Sequence, residues 1–365
     1  MGRTARGTAT SGRDAAPGVG TDPELATLVR AVGCRPAWLT VAAVGLGSVV
    51  VTATGFGPDL PLWVRYLPLA ASLLLFGLPH GAVDHLAPTR AAGRPTTLRS
   101  MAVVGLVYLL LGGAYAALWV VAPVASAALF VALTWLHWGQ GDLYALDALG
   151  SSHLDSAGVR VGTVLVRGGL PMLVPLLRYP ERYRAVVDAW VALFGRELTA
   201  AWLVAPDTRV ALGSGFAVLT VGTLAAGYRA GDAGWRLDAA ETLLLWAYFL
   251  VVPPLVAVGV YFCVWHSLRH VGRLMGVDDG ARAAFRERGT LAALLRTGAD
   301  ATPLTAVSVL MIVGVAVVAG VDTAPRVLAA LYLVFIAVLT LPHVVIVTWM
   351  DRSENAGLAG LVREQ

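Results

Sequence analysis

Runs of about 20 apolar residues recur along the whole chain, and each is long enough to cross a bilayer as a helix. Of the 365 residues, 57% are hydrophobic and only 14% are charged, against about 25% charged in soluble globular domains. In lipid every backbone polar group must be satisfied within the protein, so helices and closed barrels are the spanning structures. Runs of this length specify helices. The expected fold is therefore all-α, a polytopic transmembrane bundle of about eight to ten helices.

Taken in order, residues 1 to about 36 read as a disordered polar cytoplasmic tail, because no apolar segment follows Arg3, Arg6 and Arg13. Spans are expected at about 37–57, 64–86, 100–121, 124–146, 159–177 and 209–228, with 178–208 an arginine-bearing amphipathic or loop region. The segment 238–274 is too long for one ordinary span, and Pro253-Pro254 should divide it, since proline removes a donor and clashes with the preceding turn. A charged loop at about 273–300 precedes two more spans, about 302–321 and 326–349. The transmembrane domain is thus expected over 37–350 and a cytoplasmic C-terminal tail over 351–365. Every basic residue is Arg, and the net charge of +4 lies mostly in loops, so it speaks to topology and not to nucleic acid. An N-terminus inside puts the arginine loops at 87–99 and 273–300 inside, while the arginines of 178–208 dissent. The two cysteines, Cys34 and Cys263, are far apart and support neither a disulfide framework nor a zinc cluster.

Histidines interrupt four of the apolar stretches: Gly77-Leu78-Pro79-His80-Gly81-Ala82-Val83-Asp84-His85, Trp135-Leu136-His137-Trp138, Trp265-His266-Ser267-Leu268-Arg269-His270 and Leu341-Pro342-His343. Ionisable residues inside a membrane face the bundle interior and mark function. The topology puts His80, His137, His266, His270 and His343 at similar depth, as a shared site requires. His266 and His270 are four apart and share a helix face, so they can ligate one metal. The bland alternative is a pair of buried histidines bonded to backbone. His80 and His85 lie about 140° apart around a helix, so at most one is a direct ligand. His80, deeper in the apolar run, is the better choice. Asp84 and His85 are then candidates to orient a ligand, or they form a solvated helix end. His137 either joins the site or bonds across helices, with Asp142 a candidate supporting carboxylate. His153, in a polar loop beside Asp155, is expected to be irrelevant. His343 is held in reserve as a further site residue, proton carrier or substrate contact. An all-imidazole set suits Zn, Cu, Fe or Ni, and the aromatic residues Tyr144, Tyr248, Phe249, Tyr261 and Phe262 either line an apolar cavity or serve packing.

Together these four motifs resemble the Brp/Blh family of membrane-bound β-carotene 15,15′-dioxygenases, over about residues 60–350. The resemblance implies oxidative cleavage of β-carotene by O₂ at its central double bond, giving two molecules of all-trans-retinal. It implies a non-haem Fe(II) on four histidines, which by motif fall on His80, His137, His266 and His270. It further implies a cell-membrane location and retinal passed to rhodopsin-type proteins. The competing readings are a histidine-box di-iron desaturase or hydroxylase, a transporter or non-catalytic rhodopsin-biogenesis factor, and a bis-histidine haem protein.

Overall fold

A computed structural model describes residues 19–55, 61–230 and 233–358. Every regular element among them is helical. The main helices are α1 (Pro23–Ala53), α2 (Leu62–Gly81), α3 (Leu98–Val121), α4 (Pro123–Ala148), α5 (Ala157–Arg178), α6 (Pro180–Ala192), α7 (Pro206–Ala230), α8 (Ala233–Val251), α9 (254–277), α10 (Asp279–Arg288), α11 (Thr290–Val318) and α12 (Pro325–Glu354). Among the described residues, seven of these are long and apolar enough to cross a membrane: α1, α2, α3, α5, α7, α11 and α12. Three more, α4, α8 and α9, pack among them. They are less apolar because they carry buried Asp142, Asp238, Glu241, Arg269 and Arg273 on inward faces. The chain is a multi-pass helical membrane protein.

The expected break at Pro253-Pro254 is present: α8 ends at Val251, and Pro253 caps α9 with Pro254 in its first turn. Three other expectations need correction. Val19–Cys34 is helical with Leu25, Leu28, Val29, Val32 and Cys34 buried, so the expected tail to residue 36 is too long; residues 1–18 lie outside those described. Asp22 caps the start of α1 and accepts from Arg282 at 2.8 Å. That contact holds its carboxyl below the ordinary range. The docking of α1 is therefore favoured at neutral pH and weakens as pH falls through the carboxylate range. The expected charged loop over 273–300 is helical as well: Arg273 sits inside α9, and α10 and the start of α11 supply the rest. At the C-terminus, α12 runs on to Glu354. Asp351 and Glu354 bind Arg273, at 2.8 Å and 2.5 Å, so 351–354 closes the core instead of opening a tail.

Close backbone approach replaces hydrophobic attraction between helices in lipid, and small residues permit it. The α4–α5 contact is built this way. A Cβ on Gly139 would stand 2.2 Å from the Val164 carbonyl oxygen, and one on Gly168 would collide with that of Trp135. A buried ionic cluster then ties α4, α5, α8 and α9 together. Arg167 reaches Asp238 (2.9 Å), Glu241 (2.7 Å) and Asp142 (3.4 Å). Arg269 reaches Asp142 (3.1 Å) and Glu241 (2.5 Å). The Trp38 and Trp265 indole N–H groups donate to Glu241 and Asp142, which brings in α1. His153, expected to be irrelevant in a polar loop, is fully buried and pairs with Asp238 at 3.2 Å.

Removing one member of a buried, hydrogen-bonded charge set leaves its partners uncompensated, at a cost of about 3–5 kcal/mol. Glu241→Ala is expected to destabilise the protein by about that amount, seen as early thermal unfolding in detergent. An unchanged midpoint would show that the cluster does not hold the bundle.

Candidate metal centre and its cavity

The histidine-bearing end of α2 is not a continuous helix. It breaks at Leu75-Phe76 and restarts as the short turn Gly77–Gly81. Gly77 is required there, because a Cβ would lie 2.6 Å from Ser72 and 2.7 Å from the Phe262 ring. The break turns His80 inward. Its Nδ1 faces the carbonyl oxygens of Phe76 and Gly77 and the Ser267 hydroxyl. A carbonyl only accepts, so Nδ1 carries the proton and Nε2 keeps its lone pair.

On α9 a π-helical turn over Tyr261–His266 precedes the regular helix from Ser267. Such turns recur at functional sites. It aims His266 and His270 toward His80, with ring centroids 5.3 Å and 5.4 Å from that of His80. His137, on α4, lies 4.7 Å from His266. His343, from the middle of α12, lies 4.7 Å from His137, 5.1 Å from His80 and 5.3 Å from His270. Ligand nitrogens of His80, His137 and His266 lie within 4.8 Å of one another.

Five imidazoles from four separate segments thus form one buried group. Both nitrogens of His137 and the Nε2 atoms of His266, His270 and His343 are buried with no hydrogen-bond partner. Buried polar atoms are rarely left unmade. A group of convergent, buried imidazole nitrogens is the donor set that an N-preferring transition metal takes. The residues present therefore fit a bound metal ion.

Outside this group the expectations divide. His85 is half-buried, its Nδ1 faces the Ala82 carbonyl at 3.1 Å, and it lines the cavity wall outside the histidine group. Asp84 is buried and accepts from His343 Nδ1 at 2.7 Å and from the Tyr108 hydroxyl at 2.5 Å. It orients His343, not His80. Asp142 does not touch His137. It receives Trp265 and Arg269, so it positions the helix that carries His266 and His270. Sequence reading missed Tyr108, whose signal was faint: a tyrosine in an otherwise apolar run, inside a second π-helical turn, Tyr108–Gly112.

The centre forms part of the wall of a cavity of about 880 Å³, within the roughly 300–1,000 Å³ common for small-molecule sites. Apart from the histidines, Asp84 and a few hydroxyls, its lining is apolar, with Phe130, Trp138, Met172, Trp190 and Phe262 prominent. Trp190 and Tyr183 come from α6, so the arginine-bearing 178–208 region contributes a cavity wall. Tyr261 is buried in the core beside Trp265 and does not face the cavity.

Fold and centre together define a class: a multi-pass helix bundle with a buried polyhistidine centre opening on an apolar cavity. Comparison with known proteins places the chain within that class. It matches the beta-carotene 15,15'-dioxygenase family over residues 71–351. It is 51% identical over 331 residues to the "Probable beta-carotene 15,15'-dioxygenase Blh" of Halobacterium salinarum, covering 88% of this chain and 94% of the relative. It is 32% identical over 350 residues to the same organism's "Probable beta-carotene 15,15'-dioxygenase Brp", covering 88% and 96%. A "Beta-carotene 15,15'-dioxygenase" of an uncultured marine bacterium is 25% identical over 203 residues, covering 55% and 66%. No solved structure matches. The chain belongs to the beta-carotene 15,15'-dioxygenase family, and it is an enzyme of the dioxygenase class.

Gly77 serves the centre twice, by allowing the chain break and by lending its carbonyl to His80. Loss of such an outer partner typically costs about 10–100-fold in metal affinity. Gly77→Val is expected to weaken Co(II) binding by about that factor, read from titration of the visible absorption band. Unaltered affinity would show that His80 does not depend on the break.

Proposed function

We propose that this protein cleaves β-carotene with O₂ at the central 15,15′ double bond, giving two molecules of all-trans-retinal. The reaction takes place at a non-haem Fe(II) held by His80, His137, His266 and His270. The observation that carries this reading is a buried imidazole group in which His137, His266 and His343 carry partnerless nitrogens and line a large apolar cavity. The family membership supports the substrate. Fe(II), when bound, supplies the O₂ activation that protein side chains do not.

The chain's own residues do the rest. The cavity accepts a hydrocarbon from the bilayer without polar desolvation, and its walls hold the polyene against the histidine face. Gly77 and Ser267 fix the His80 ring. The Asp84 carboxylate and Tyr108 hydroxyl hold His343 with Nε2 toward the same centre, as a carboxylate does for a ligating imidazole. His343 thereby becomes a further site residue beside the four. Burial excludes water that would compete at the centre. The helical unit that does this runs from Val19 to Glu354 and works in the cell membrane, with the retinal passing to rhodopsin-type proteins there.

Expression in β-carotene-accumulating bacteria tests the reading. Wild type is expected to bleach the cells and yield retinal, with one iron per chain in purified protein. His266→Ala and His270→Ala are expected to lose both. Retinal from both variants at wild-type levels would overturn the ligand set. No retinal from iron-loaded wild type would overturn the activity. Asp84→Asn separates positioning from ligation. It is expected to weaken Co(II) binding about 10–100-fold while leaving the protein folded, and an unchanged affinity would remove His343 from the centre.

A further inference from the structure

The cavity is closed almost everywhere by buried or half-buried side chains, and its exposed lining comes from two helices alone. On α3 these residues are Gly105, Leu109, Gly113 and Ala116; on α11 they are Leu304, Val307 and Met311. Leu109 is 70% exposed and Met311 54%. Both helices are among the long apolar ones, and they make little direct contact with each other. The lining stretch 105–116 lies near the middle of α3 and measures about 17 Å along the axis at 1.5 Å per residue. Its α3 side is mostly glycine and alanine. Positions 105 and 113 have no neighbouring atom within 4 Å of where a Cβ would stand. On the far side of the slot, Tyr108 reaches Asp84 and so His343 at the centre.

We propose that the slot between α3 and α11 is a lateral portal, through which a long apolar polyene passes from the bilayer core to the histidine centre. The inference rests on the proposed carotenoid-cleaving function for its substrate class. Three observations point to that occupant. The slot opens at mid-span, where polar molecules are scarce and hydrocarbons partition. Its rims are Leu, Val, Met, Ala and Gly, with Ser308 the polar exception. It leads into the same cavity as the partnerless imidazoles. The small residues on α3 keep the slot wide enough for a cyclic end group to pass before the slender chain follows. Gly105 and Gly113 are thus determinants of substrate access, acting at a distance from the reacting bond.

Reversible plugging tests this. Gly105→Cys and Gly113→Cys proteins, purified with metal and reconstituted in β-carotene-containing vesicles, are modified with a bulky apolar methanethiosulfonate and later reduced. Cys34 and Cys263 are buried, so wild type serves as the reagent control. Leu110→Cys is exposed on the same helix but does not line the cavity, and it controls for a bulky group facing lipid. Modification at 105 or 113 is expected to cut retinal formation at least about tenfold, with metal content unchanged and the rate restored on reduction; Leu110→Cys should be indifferent. Full modification at both glycine positions with no loss of rate would overturn the portal. Substrate uptake, followed by quenching of tryptophan fluorescence from the cavity-lining Trp138 and Trp190, reads access in metal-free protein. Slowed quenching after modification keeps the portal even where no retinal forms, and unslowed quenching overturns it. Failure of the portal and failure of the proposed cleavage are thereby distinguished.

Discussion

The buried ionic cluster around Arg167 and Arg269 is the constraint on which the rest of the bundle depends. Lipid is as apolar as leucine, so burial alone gives helices in a membrane little reason to choose one another. Two guanidinium groups facing Asp142, Asp238 and Glu241 impose that choice. Each carboxylate is left uncompensated unless α4, α5, α8 and α9 meet in one arrangement. Arg269 lies between His266 and His270 in sequence but binds Asp142 and Glu241 instead of joining the histidine group. The contact that secures α9 in the bundle therefore also sets the direction of its two histidines. Structure and centre are two faces of one helix.

A second principle runs through the site: each histidine-bearing segment departs from ideal helix or sits where a neighbour's backbone comes very near. α2 breaks before His80, α9 loosens into a π turn before His266, and Pro342 precedes His343 within α12. His137 stays on a regular helix, but its neighbour Gly139 allows α5 to approach within the width of a side chain. These irregularities disturb regular backbone hydrogen bonding, and in a bilayer that loss must be made good by neighbouring groups. Ser267 and the Gly77 carbonyl meet part of that demand while fixing the His80 ring. From α3 the cavity beyond is lined by small residues, Gly105, Gly112, Gly113 and Ala116, alternating with Met101, Val104, Tyr108 and Leu109.

Much of the candidate site was legible in the sequence. Imidazoles in apolar runs are conspicuous, the i, i+4 spacing of His266 and His270 is a local property, and the preference for His80 over His85 follows from its depth in the apolar run. Most of the readings that failed were long-range; the 273–300 stretch, read as a loop and found helical, is the local exception. Asp142 looked like a supporting carboxylate for His137, one turn and a little further along the same helix. It instead binds Trp265 and Arg269, more than a hundred residues distant. His153 looked solvated because its neighbours are polar, yet those neighbours fold over a buried charge cluster. Val19–Cys34 and Asp351–Glu354 looked like tails because short polar stretches carry no periodic apolar signal, and only their partners Arg282 and Arg273 reveal them as docked.

Composition and pattern alone determined that this chain is a multi-pass helical membrane protein with histidines at one depth. Those properties depend on spacing along the chain and on the cost of polar groups in lipid. Only the tertiary structure decided that His343 joins the cluster through Asp84 and Tyr108, that the cavity opens between α3 and α11, and that the arginines of α5 and α9 are structural. Each of those is a contact between residues far apart in sequence. Local periodicity carries no information about which faces meet, and the matching of buried charges and close-packed glycines across helices supplies it.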